Sequence, residues 1–284
     1  MKVRRHVFLV LVLLAAVGGC KRTPSTIVIT RLLLNLPPEL EGNRELREGL
    51  RADLVATLGA DSSTRFKPEE REGTHTLRVE VATPVRDDVR NHRPDDVGEV
   101  DESPMQRVRV ELRPRPDAMS YDVIGLAPAT SDVRHDAAMA FQDGWSVSVS
   151  MRLLDRGPDA DLIGALKSTD ERLQLFAVQR LGERKTKAAV PALIALLDEK
   201  TKPELALRAI GALIAIGDPA AAEPMIELAR NKDPQFVLQV VFALGSLGGP
   251  TAEGYLVTLA SGHPVEAVRR GAEDALAELG RKRR

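Results

Sequence analysis

A column of apolar residues that returns four times constrains this chain more than anything else in it. Leu181, Leu213, Leu244 and Leu276 stand 32, 31 and 32 residues apart. Around them the same spacing recurs: Leu173/Ala177/Leu181, Leu205/Ala209/Leu213/Ile216, Phe236/Val240/Leu244/Leu247 and Val268/Ala272/Leu276/Leu279. Apolar residues at i, i+4, i+8 and i+11 make one stripe along a helix, so the copies predict four equivalent helices. Leu162, Leu193, Ile226 and Leu256 occupy matching places on a first helix before each of them. The pattern predicts an all-α solenoid of four helix pairs over residues 159–280, in which every repeat buries its stripe against its neighbours.

Helix starts fit this register. The second helices open at Asp170-Glu171, Lys202-Pro203, Asp233-Pro234 and His263-Pro264, mostly a capping residue followed by proline in the first turn. In the first repeat Arg184 stands where the others carry Ile216, Leu247 and Leu279. That repeat is therefore expected to act as a cap, or as a joint to what precedes it.

Residues 27–156 follow other periods and predict an α+β domain. Ile27 to Leu34 is an apolar, β-branched run suited to a buried strand, ended by Pro37-Pro38. Leu46, Leu50, Leu54 and Leu58 then stand four apart, with Asn43 placed to cap a helix and Gly59 placed to stop it. Leu77/Val79/Val81 and Val108/Val110/Leu112 alternate with charged residues, each a strand with one buried face. A third run, Ser120 to Leu126, is expected to pair with the second through a turn at Pro114 to Asp117. Pro84 to Met105, with seven acids against three arginines, reads as a long acidic hairpin loop. Residues 145–153 fit both a helix period, through Phe141, Trp145, Val149 and Leu153, and a strand alternation; a helix is expected, covering the same sheet face as the first. Gly157-Pro158 marks the boundary with the repeats.

The N-terminus carries an address. Lys2, Arg4 and Arg5 precede an apolar run from Val7 to Val17, too short to cross a bilayer core, which takes roughly 20 helical residues. Residues 1–19 therefore read as a signal peptide and 20–26 as a polar tether. Val17-Gly18-Gly19-Cys20 resembles the lipobox of bacterial lipoproteins. The resemblance implies that Cys20 is acylated, for example with palmitate, and anchors the protein to a membrane of the cell envelope. Cys20 is the only cysteine in the chain, so no internal disulfide can form. Lys21 follows it, where lipoproteins kept at the inner membrane commonly carry Asp; the resemblance thus implies the periplasmic face of the outer membrane.

Ala212-Leu213-Ile214-Ala215-Ile216-Gly217-Asp218-Pro219 and Ala243-Leu244-Gly245-Ser246-Leu247-Gly248 resemble the short HEAT-like repeats familiar from bilin lyases. That resemblance implies the fold and leaves open whether such repeats serve a scaffold, a receptor or an enzyme. The order of elements in residues 27–156 loosely resembles small α+β envelope lipoproteins of transport and assembly systems.

Chemistry is sparsely signalled. His6, His75, His92, His135 and His263 share no metal-ligand spacing, no nucleophile or phosphate-loop motif occurs, and no cofactor is expected. Without residues 1–19 the chain carries 37 basic against 41 acidic residues, a formal −4, which offers no footprint for nucleic acid. One face of the second helices varies while the stripe does not, and Arg172, Phe176, Gln179, Arg208, Gln235, Gln239 and Phe242 on it form a candidate protein-binding ridge. The expected function is a non-enzymatic, lipid-anchored scaffold binding an unidentified envelope protein. The alternatives are an accessory of an envelope transport or assembly system acting through the N-terminal domain, and a bilin-lyase-type enzyme or accessory.

Overall fold

The computed structural model describes residues 26–68, 75–84, 104–114, 119–197, 201–230 and 232–282. The expected signal peptide, Cys20, nearly all of the expected tether, most of the expected acidic loop (residues 85–103) and most of the expected turn (residues 115–118) lie outside the described residues.

Five strands form one sheet: β1 (Ile27–Asn35), β2 (Thr64–Phe66), β3 (His75–Val81), β4 (Met105–Arg113) and β5 (Tyr121–Pro128), in the order β2-β1-β3-β4-β5. β1 runs parallel to β2 and β3, and β3, β4 and β5 run antiparallel in turn. β2 is an addition to the expected strands; three residues are too few to show alternation in sequence. The helix α1 (Arg44–Ala60) is capped as expected, with the Leu46 amide donating to the Asn43 side chain. Gly59 does not stop it. The helix runs past Gly59 to Ala60, and the Asp61 carboxylate then turns the chain by accepting from the Ser63 amide and the Thr64 hydroxyl.

Residues 145–153 are helical, within α2 (Val133–Arg156). The alternation at Ser146, Ser148 and Ser150 misleads because Ser146 and Ser150 hydroxyls donate to carbonyls three and four residues back, a bond that a helix accommodates. α2 lies across β4 and β5 and beside α1. It touches β5 through glycine: a Cβ on Gly125 would stand 1.9 Å from the Ala140 carbonyl oxygen, and one on Gly144 would stand 3.1 Å from the Gly125 Cα. Only two residues without side chains allow the helix backbone to rest on the strand backbone.

Beyond Gly157-Pro158 the chain is helical. Four pairs follow: α3 (Asp159–Ala165) with α4 (Glu171–Glu183), α5 (Val190–Ile194) with α6 (Pro203–Ile216), α7 (Ala222–Ala229) with α8 (Pro234–Leu247), and α9 (Pro250–Gly262) with α10 (Glu266–Lys282). The inner columns are buried as the period predicts: Ala177, Leu181, Ala209, Leu213, Val240, Leu244, Val268 and Ala272 are all inaccessible to solvent. Leu276, in the last pair, is only partly covered. Asp170 and Asp233 cap their helices, whereas His263-Pro264 does not open α10. The helix begins at Glu266, and His263 instead accepts from the Val265 amide through its Nδ1. α6 ends on Gly217 in the left-handed conformation and α8 on Gly248 at positive φ, and after α4 the first repeat places Lys185 at φ 52°.

Candidate functional site

The sheet and the repeats meet along β5, the edge strand. Asp143 lies beside Gly144 on α2, so the glycine contact carries its carboxylate to the strand edge, where it accepts from the Leu126 amide at 3.0 Å. Arg172, at the start of α4, donates to the same carboxylate at 2.6 and 3.0 Å and to the Ile124 carbonyl at 2.9 Å. Asp170, the cap of α4, holds the other side of the guanidinium. Hydrogen bonds to Asp143 and then Asp170 push the Arg172 pKa above its ordinary value, so its charge is fixed. One arginine thus joins the sheet edge, α2 and α4.

A second group of charges closes the other end of the joint. Asp155, on the last turn of α2, accepts from Arg180 at 2.6 Å and from the Tyr121 hydroxyl at 3.0 Å. Burial, then the Asp155 charge, push the Tyr121 hydroxyl up to about 12. Arg184 donates to the Asp155 carbonyl and, at 2.8 Å, to Asp159, which also accepts from Thr186. Arg184 therefore serves as the joint, and Gly157-Pro158 lies beneath it rather than in an open linker.

Between these two clamps lies a cleft of about 440 Å³, lined by Met119 just before β5, Tyr121 and Ile124 on the strand, Met151 from α2, and Arg172, Leu175, Phe176, Gln179 and Arg208 from the repeats. Phe176 is buried, edge-on to Tyr121 at 6.3 Å between ring centres. Arg172 and Phe176 are thus engaged with the sheet instead of standing on a free ridge. Gln179 and Arg208 are exposed at the rim of the cleft, while Gln235, Gln239 and Phe242 lie exposed on α8, with Phe242 65% accessible. The ridge residues consequently fall into two sets. The strand β5 was expected, but not its place as the edge that meets the repeats, and Asp143 carries no sequence signal: it is one acid among 41, and its neighbour Gly144 reads as a helix weakener.

Residues 160–240 match the HEAT repeats family. The match runs from α3 to the middle of α8, and the helices of the fourth pair carry the same apolar columns beyond it. No curated protein matches the chain. Among the described residues no cluster of His, Cys, Asp or Glu could hold a metal ion, and no helix is long and apolar enough to cross a membrane. His75 is buried at the start of β3; loss of hydration, then Arg152 and Arg156 nearby, lower its pKa to about 4.

Proposed function

We propose that this protein is a lipid-anchored scaffold of the cell envelope, held by an acylated Cys20 and binding another protein through HEAT repeats stacked as a solenoid. It performs no chemistry of its own on this reading. The observation that carries it is the face of α8. Gln235, Gln239 and Phe242 stand at i, i+4 and i+7, and a phenylalanine 65% exposed between polar neighbours suits a contact hot spot better than an isolated surface. The match of residues 160–240 to HEAT repeats supports an interaction role. The Val17-Gly18-Gly19-Cys20 sequence supports the anchor, since several acyl chains at about 0.8 kcal/mol per buried methylene hold a protein on a bilayer without a spanning helix.

Two experiments test the two halves. A palmitate analogue should label the wild type, and Cys20→Ser should lose both the label and the membrane fraction; an unlabelled wild type contradicts the anchor. A photo-crosslinker at position 242 should trap one protein in intact envelopes, and the same crosslinker at position 257, on α9, should not trap it. Equal trapping from both positions contradicts a specific face.

A further inference from the structure

We propose that the first half of β5 is a docking edge, to which an extended segment of the partner protein adds as a sixth strand inside the cleft, with an acidic side chain of that segment meeting Arg208. The inference rests on the protein-binding reading above and moves part of the contact from α8 to the sheet edge.

Backbone parity sets the edge. In an antiparallel pair the N–H and C=O of one residue point to the same side, and successive residues alternate. The Leu126 amide donates away from β4, to Asp143, and the Ile124 carbonyl accepts from outside, from Arg172. Residues 122, 124 and 126 therefore turn their backbone groups outward. Arg172 and Asp143 occupy one adjacent pair of these groups, much as a neighbouring strand would. The next groups towards the start of the strand, the Ile124 amide and both groups of Asp122, have no partner among the described residues and face the cleft. An unpaired strand edge is a template for another strand. Here the Arg172–Asp143 clamp blocks it at one end and so fixes where an incoming segment must stop.

The walls specify side chains. Alternate residues of an added strand would point down towards Met151, Leu175 and Phe176 and call for an apolar group. The rim carries Arg208, whose guanidinium has only a loose 3.8 Å approach to the equally exposed Glu204. An acid on the incoming segment can supply a closer partner at little desolvation cost. A cleft of about 440 Å³ falls in the range that holds a few residues. The required occupant is an extended segment with one apolar anchor and a nearby carboxylate.

The test uses purified full-length protein and a phage-displayed random heptapeptide library, followed by synthetic, fluorescently labelled versions of the enriched peptides. Enriched sequences should combine an apolar residue with Asp or Glu. Binding should slow hydrogen exchange at the Asp122 and Ile124 amides at least about tenfold. Asp122→Pro removes an outward N–H and leaves the β4 backbone ladder in place, as proline can on an edge, and should weaken binding by an order of magnitude or more, whereas Asp122→Ala, which loses only the carboxylate that accepts from Arg109 on β4, should bind as the wild type does. Arg208→Glu lies on an exposed helix surface and should weaken it severalfold. Peptides that bind without protecting Asp122 and Ile124, and that are lost in Phe242→Ala instead, would overturn the strand and leave the scaffold reading standing. Failure to enrich any peptide, or concentration-dependent pairing of two copies through β5, would also overturn it.

Discussion

The joint between the sheet and the first repeat is held by charge, whereas the joints between repeats are held by closeness of approach. At the first, Arg172, Arg180 and Arg184 reach Asp143, Asp155 and Asp159. At the others, glycine and alanine meet. A Cβ on Gly182 would stand 3.0 Å from the Ala212 Cα, and one on Gly245 would stand 2.9 Å from the Ala275 Cβ. Both glycines follow a reference leucine by one residue, and both alanines precede one. Between α6 and α8 that place is taken by Ile214, and those helices meet less closely. The difference teaches how a repeat array is attached to a foreign domain. Repeats share one shape and can pack through small residues, but a sheet edge has exposed backbone groups that only polar side chains can satisfy.

The comparison can be broken first at the apolar joints. Leu244→Ala removes a fully buried side chain from an inner repeat and should cost about 2 to 5 kcal/mol in a denaturant melt. Leu276→Ala, at the partly covered end, should cost less. Equal losses would mean that the last repeat is covered by something else.

Acid should act on the comparison from the sheet side. His75 stays neutral in the folded protein down to about pH 4, while in the unfolded chain it protonates near 6.5. The unfolded state therefore binds the extra proton between these values. Stability is fully present above about pH 6.5 and should fall by about 1.4 kcal/mol per pH unit towards pH 4. His75→Gln should flatten that slope, as followed by urea melts at successive pH values; an unchanged slope would place the acid sensitivity elsewhere.

Gly245→Val should destabilise by about 1 to 3 kcal/mol, because the helix against Ala275 must move away. Gly211→Ala, whose Cβ would meet nothing within 4 Å, should stabilise by roughly 0.4 to 1 kcal/mol. If both behave alike, the close contacts do not hold the repeats together. The smallest effect is expected from Gln239→Ala, exposed on α8, which should change thermal stability by no more than about 0.5 kcal/mol while altering crosslinking at position 242.

The repeats were legible because one stripe returned at a fixed interval, and burial of Leu181, Leu213 and Leu244 follows from that period directly. Arg184 was legible as an exception to it, though its partners were not. Asp143 and Asp155 lie on a helix whose sequence also alternates like a strand, and nothing local says that they meet arginines from α4. The cleft was illegible for the same reason: it is made by one edge strand and by residues of three helices, α2, α4 and α6, that follow it at different distances along the chain. Phe176 and Phe242 lie on the same outward ridge, five and two residues before their reference leucines, yet the sheet covers only the first. Sequence periodicity reports which face a helix turns outward, not which neighbour has already claimed it.

Trp145 is the only tryptophan, buried beside Phe141 in the sheet region, so its fluorescence follows that region while far-UV circular dichroism is dominated by the repeats. In wild type the two signals should unfold together. Asp155→Ala leaves the Tyr121 hydroxyl without its partner and Arg180 with Glu183 alone and should cost about 1 to 3 kcal/mol. With the charged joint cut, the tryptophan transition should move to lower denaturant and the helical transition should stay in place. Coincident transitions in Asp155→Ala, both shifted equally, would contradict a joint held by charge.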